Sequence, residues 1–254
     1  MELEVAEYAF LAAAAFIAGA INAVAGGGSL VSFPALVAVG YDAKVANITN
    51  TVALWPGYIG GSISYAAQLS GQRRRVLVLT APSILGAIAG SAILLLTPAS
   101  SFEAIVPFLI LFAAGLMAVQ VRLGVWVARV RPQRADADFN IEVMGGVFLL
   151  AIYGAYFGAG LGILTLAVLQ ILLPDDLHRS NALKGLLSAI INAAAVVYFA
   201  LFGPVEWIPA LVMAGAALAG GYYGVGLARK FSARVLRLVI IAYAVIVALI
   251  MFFE

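Results

Sequence analysis

The sequence predicts an all-α polytopic membrane protein, built as two inverted repeats of five helical segments, on three observations. Of its 254 residues 65% are hydrophobic and 10% charged, with a mean hydropathy of +1.10. A soluble domain has about 25% charged residues and roughly half apolar ones, so lipid is the solvent that suits this chain. The apolar residues gather into ten runs separated by charge, Gly, Pro or Asn. Two glycine clusters, Gly26-Gly27-Gly28 and Gly158, Gly160 and Gly162, interrupt that pattern at corresponding places.

The runs lie near 7–25, 30–39, 45–68, 76–97, 102–122, 141–159, 163–173, 180–201, 206–227 and 233–253. Eight are long enough to span. The segments near 30–39 and 163–173 are not, because some ten residues rising 1.5 Å each cover about 15 Å of a hydrocarbon core roughly 30 Å thick. Each follows a glycine break and is expected to be a returning, re-entrant arm.

Basic residues set the orientation. Arg73, Arg74 and Arg75, then Arg122, Arg129, Arg131 and Arg134, then Arg229, Lys230, Arg234 and Arg237 mark three cytoplasmic places. The opposite ends carry Glu2, Glu4, Glu7, Asp42, Glu103, Glu206 and Glu254, with Lys44 the one cation among them. Both termini are then outside. Glu2, Glu4 and Glu7 stand where a signal peptide has positive charge, so the first helix is expected to be retained.

With two segments returning, the chain reads as a single membrane domain over 1–254. A first repeat covers 1–122, a cytoplasmic linker 123–140 holds Pro132, Gln133, Asp136 and Asp138, and a second, inverted repeat covers 141–254. This is the plan of secondary transporters. Gly19 to Ser29 is set against Gly154 to Leu164, which places Phe157 opposite Asn22. With one residue of slippage Asn47 and Asn50 fall opposite Asn181 and Lys184.

An unwound stretch is tolerated in hydrocarbon only where protein buries it or water lines it. It also aims a half-helix N-terminus, with free N–H groups and a partial positive charge, at the middle of the membrane, where an anion is favoured. The alternative is that the glycines let helices pack closely, which suffices for Gly19 and Gly154. In the eighth run Asn181, Lys184, Ser188 and Asn192 share one helix face. Lys184 is a ligand candidate or a lysine snorkelling from a helix end. Asn47, Thr49 and Asn50 open the third run, where Pro56 and Gly57 should bend the helix and Gly61 and Ser64 continue its polar side.

Other chemistries find no residues. There is no cysteine and one histidine, His178, so neither a disulfide nor a metal site is expected, and a net charge of +2 does not suit nucleic acid. No carboxylate lies deep in an apolar run, which argues against a buried proton relay, and no catalytic constellation or cofactor motif can be assembled. His178, beside Asp175, Asp176 and Arg179, reads as solvated or capping. Trp55, Trp126 and Trp207 read as interfacial anchors.

Gly19 to Ser29 with Pro34, Ala46-Asn-Ile-Thr-Asn50, Tyr153 to Gly162 and Asp176-Leu-His-Arg-Ser-Asn-Ala-Leu-Lys184 together resemble the TauE/SafE sulfite-exporter family over essentially the whole chain. The resemblance implies a bacterial inner-membrane protein moving sulfite, a sulfonate such as sulfoacetate, or another small sulfur-containing anion, commonly outward. It implies a substrate site at Asn22, Gly26, Gly27, Gly28, Ser29, Thr49 and Asn50 in the first half and Gly158, Gly160, Gly162, Asn181 and Lys184 in the second. Backbone N–H groups of Gly27, Gly28 and Ser29 are expected to hold the oxyanion. Expected partners are that anion and the bilayer; import of a sulfur compound such as thiosulfate, or a membrane scaffold that carries nothing, are the alternatives.

Overall fold

The computed structural model describes residues 3–24, 26–64, 69–130, 141–173, 177–228 and 233–253. Among them are ten helices: α1 (Val5–Val24), α2 (Ser29–Ala38), α3 (Ala43–Ser64), α4 (Arg73–Leu96), α5 (Ala99–Val130), α6 (Ile141–Tyr156), α7 (Leu161–Leu172), α8 (Leu177–Phe202), α9 (Trp207–Ala228) and α10 (Ala233–Phe253). Each corresponds to one expected run. Arg131, Arg134, Pro132, Gln133, Asp136, Asp138, Asp175, Asp176, Arg229, Lys230, Glu2 and Glu254 lie outside the described residues, as do the side chains of Gly61 and Ser64.

Four described segments are long and apolar enough to cross a bilayer: Val5–Asn22, Arg73–Leu96, Ala99–Trp126 and His178–Phe202. Large apolar side chains such as Leu77, Leu85, Leu149, Ile208 and Leu211 point outward along the helices, as lipid allows and water does not. The arms α2 and α7 have 10 and 12 residues, about 15 and 18 Å, so neither crosses alone. Two expectations shift. With 16 residues, α6 is shorter than a span, because the chain unwinds at Phe157, earlier than hydropathy suggests. Helix α5 runs on through Val130, well into the expected linker, because nothing from Leu123 to Val130 except Gly124 opposes a helix.

The two ends of the bundle differ in charge, and contacts fix which helix ends meet. At one end Lys44 Nζ donates to Leu95 O and Thr97 O at 2.7 and 2.8 Å, joining the start of α3 to the end of α4. Lys44, the lone cation of the acidic side, thus caps a helix C-terminus, where carbonyl oxygens and the helix dipole favour it. Tyr41 lies at the same end. Burial first, then the nearby Glu206, Tyr8 and Glu7, holds its phenol above the ordinary range. At the other end Gln72, before α4, donates to Arg179 O of α8 at 3.2 Å, and the Gln120 amide of α5, once turned so that its oxygen faces the guanidinium, accepts from Arg237 Nε and Nη2 of α10 at 2.8 and 3.0 Å. Arg73, Arg74, Arg75, Arg122 and Arg234 belong to this end.

Helix pairing is reciprocal between the halves. Helix α1 packs on α9 as α6 packs on α4, and α3 packs on α9 as α8 packs on α4, while α3 meets α8 and α5 meets α10. The most extensive pairs, α1 with α9 and α4 with α6, rest on bare backbone. A Cβ on Gly19 would collide with Ala217 O, one on Gly220 with Phe16 O, one on Gly86 with Phe148 O and one on Gly90 with Ile152 O. Close approach of this kind is how helices associate where lipid removes the hydrophobic drive. Gly19 is therefore a packing glycine. Replacing Gly90 with Ala is expected to destabilise the detergent-solubilised protein by about 1–3 kcal/mol through overpacking. Gly115→Ala, with nothing within 4 Å of its added methyl, should be neutral or stabilising by up to about 1 kcal/mol. Melting temperatures of the two variants check this.

Candidate functional site

Helix α1 stops at Val24 and α2 starts at Ser29; α6 stops at Tyr156 and α7 starts at Leu161. Aligned by these ends, the two breaks have equal length and place Gly26 opposite Gly158, Gly28 opposite Gly160 and Asn22 opposite Gly154. This corrects the register that set Asn22 against Phe157; glycine periodicity alone let the motifs slide by three residues. Both turns need glycine. Gly26 and Gly27 have φ of 69° and 113°, and Gly158 and Gly160 both have 77°, left-handed values that side chains resist.

The breaks meet. A Cβ built on Gly26 would lie 3.7 Å from Gly162 Cα, and one built on Gly162 would lie 3.8 Å from Gly26 Cα, 3.9 Å from Lys184 Cδ and 4.0 Å from Lys184 Cε. The first turn of α7, the first break and the stem of Lys184 thus share one small space. Phe33 of α2 stacks edge-on to Phe157 in the second break at 5.7 Å, and Asn47 Nδ2 of α3 donates to Tyr156 O, the last carbonyl of α6, at 2.9 Å. Each break is thereby clamped by the other half of the chain.

Their polar groups are treated differently. In the first break Asn22 Oδ1 accepts from Gly27 N at 3.0 Å and from Gly28 N at 2.7 Å, and the Asn22 amide also bonds the Tyr58 hydroxyl. Two of the donors expected to hold an oxyanion are already occupied, and of the three only the Ser29 N–H has no acceptor among the described residues. Asn22 is a cap here, not a free ligand. Gly28 is needed for space as well, since a Cβ there would strike Ala18 O. In the second break the side-chain bond has the opposite sense, Tyr153 OH donating to Ala159 O at 2.6 Å. Gly160 caps α7 with no side-chain bond, and among the described residues the N–H groups of Ala159, Gly160 and Gly162 have no acceptor. Of the two turns, the second is the one whose N–H groups are left without an acceptor among the described residues.

The remaining candidates divide. Asn50 is buried; its Oδ1 accepts from Ser32 Oγ at 2.5 Å while its NH₂ has no acceptor among the described residues. Lys184 and Asn181, one turn apart on α8, have no hydrogen-bond or ion-pair partner among the described residues. Thr49 faces away: its hydroxyl accepts Glu206 N at 3.1 Å, where the chain enters α9. Further along the α8 stripe Asn192 Nδ2 returns to Ser188 O at 2.8 Å. Trp55 is not an interfacial anchor, since its indole N–H donates to Ala189 O of α8 at 3.2 Å; Trp126 and Trp207 are exposed at opposite ends of the bundle. His178 is exposed. Sequence patterning missed Tyr153 and Tyr58, aromatic residues in apolar helices whose hydroxyls have no sequence signature.

Removing the Asn22 cap by Asn22→Ala is expected to leave two buried N–H groups unsatisfied, at about 1–3 kcal/mol each. Asn22→Asp keeps an acceptor there and should retain more of the stability. Thermal melts of both variants in detergent give the comparison.

A family model described as sulfite exporter TauE/SafE matches residues 11–251. Three curated relatives are similar. A "probable membrane transporter protein ORF9" of a Sinorhizobium species is 29% identical over 95% of this chain and 91% of its own. A probable membrane transporter protein of Haemophilus influenzae is 25% identical over 88% and 86%. The probable membrane transporter protein YfcA of Escherichia coli K12 is 27% identical over 78% and 72%. No solved structure matches. With the family model covering nearly its whole length and its helices suited to lipid, the chain belongs to the TauE/SafE family and is a multi-pass membrane transporter.

Proposed function

We propose that this transporter exports a small sulfur-containing anion, sulfite or a sulfonate such as sulfoacetate, across a bacterial inner membrane, with both termini outside. The observation that carries the reading is Lys184, a cation without a partner among the described residues, whose stem lies against Gly162 in an α7 turn with open N–H groups. A charged side chain inside a membrane bundle is costly unless something of opposite sign visits it. Here the visitor is the cargo. The N–H groups of Gly160 and Gly162 bind its oxygens, Lys184 neutralises it, and the NH₂ groups of Asn50 and Asn181 and the Ser29 N–H complete the shell. The first break contributes position through Gly26 and rigidity through Asn22.

The charge-segregated ends support the sidedness, the Arg-bearing end being cytoplasmic. The reciprocal helix pairing supports two interlocked inverted units, α1–α5 and α6–α10, with the site where their breaks meet and exposed to each side in turn. No coupling ion is needed. An interior-negative potential drives a monoanion outward with roughly 2.3 kcal/mol per 100 mV, about a 50-fold concentration ratio.

In proteoliposomes, sulfite or sulfoacetate flux is expected to follow the membrane potential, and Lys184→Met to abolish both flux and binding while the melting temperature of the empty protein holds. Flux that stays proton-driven with the potential clamped at zero would overturn the uncoupled mechanism. Flux directed only inward under the same potential would make this an importer. Binding unchanged in Lys184→Met would remove the site, and no binding at all would favour a scaffold.

A further inference from the structure

The seam between α7 and α8 holds a polar group with no role so far. Thr165, in the second turn of α7, is 1% exposed, and its Oγ1 has no hydrogen-bond partner. Four other hydroxyls satisfy themselves, whereas Ser91 of α4 and Ser188 of α8, like Thr165, are buried without a partner among the described residues. Thr51, Thr80, Ser83 and Thr97 each donate to the carbonyl four residues earlier, at 3.0, 2.7, 2.7 and 2.7 Å. Thr165 has Leu161 O in the same relation and does not take it.

Its place explains what the hydroxyl is for. Gly162 of α7 lies against Lys184 of α8, and Gln170 Nε2 donates to Ser180 Oγ at 2.8 Å. Numbers rise along α7 as they fall along α8, so the two helices run antiparallel, and Thr165 lies between these contacts. It is three residues past Gly162, about 4.5 Å along the axis and about 60° around it. Helical side chains lean toward the N-terminus of their own helix. Thr165 therefore leans back toward Gly162, and Lys184 leans along α8 toward Asn181, bringing two unpartnered groups from facing helices toward one point beside the open α7 turn.

We propose that Thr165 is a specificity-determining ligand, whose hydroxyl donates a hydrogen bond to the anion held by Lys184 and the α7 N–H groups. This rests on the site reading above and narrows its cargo. Hydroxyl, backbone N–H and ammonium converging out of one plane suit the pyramidal oxygens of an SO₃ head group better than the two coplanar oxygens of a carboxylate. The head group is thus selected over acetate, and the selection depends on Thr165.

The test measures binding of sulfite, isethionate and acetate to the purified full-length chain in detergent, for the parent, Thr165→Val, Thr165→Ser and Lys184→Met. Thr165→Val, equal in shape and losing no bond of the fold, is expected to keep or raise the melting temperature of the empty protein. It should weaken sulfite and isethionate by about 10-fold, what losing one hydrogen bond to a charged group amounts to, and leave acetate unchanged. Thr165→Ser should restore the sulfur anions. If Thr165→Val binds them like the parent while Lys184→Met does not bind, Thr165 is no ligand and the site reading survives. A lower melting temperature in Thr165→Val with equal losses for all three anions makes its role structural and overturns the proposal, and no anion binding by the parent overturns both.

Discussion

A helix interrupted inside hydrocarbon must find an acceptor for every freed N–H and a donor for every freed carbonyl, or else admit something that supplies them. The two breaks of this protein answer that demand differently. At the first break Asn22 folds its own amide over Gly27 and Gly28, closing the turn from within. At the second, Tyr153 secures a carbonyl and the N–H groups ahead of α7 stay open. The same glycine motif thus yields one turn closed by its own side chain and one whose N–H groups lack an acceptor among the described residues, set against each other at Gly26 and Gly162.

The rest of the bundle keeps those two turns in register. Asn47 holds the last carbonyl of α6, Phe33 covers Phe157, and Trp55 ties α3 to α8. Around them α1 with α9 and α4 with α6 meet through glycine at backbone distance. Those contacts tolerate no added atom, and because each joins a helix of one half to a helix of the other, they fix the two halves against each other around the breaks.

Much of this was legible in the sequence, because lipid makes strong demands. All ten helices follow from apolar runs, and the two short arms from their length between glycines. Charge segregation reads directly, and the structure accounts for its exception, Lys44, which no pattern distinguishes from a misplaced cation. The choice of ligand was less legible. Asn22 looks like a donor to substrate until the turn shows its oxygen pointing back at its own backbone, five and six residues on. Thr49 and Asn50 are neighbours in sequence, yet α-helical geometry sends one to the loop before α9 and the other toward Ser32. Thr165 carried no signal, and Tyr153, although it opens one of the family-like motifs, gave no hint of what its hydroxyl does, because a hydroxyl in an apolar helix is ordinary until its partner, or the lack of one, is seen.

The glycines of these breaks are not alike in what evolution can do with them. Gly28 is hemmed in by Ala18 O, and Gly26, Gly27, Gly158 and Gly160 sit at backbone angles that resist side chains. Gly162 has ordinary van der Waals room around it and no such angle. A lineage that drifts to alanine at position 162 keeps its fold and loses only a methyl's worth of space beside the lysine. Of the six glycines in these breaks only that one is free of both constraints, so the space beside the lysine can be trimmed there without disturbing either turn, while the other five are fixed by the fold.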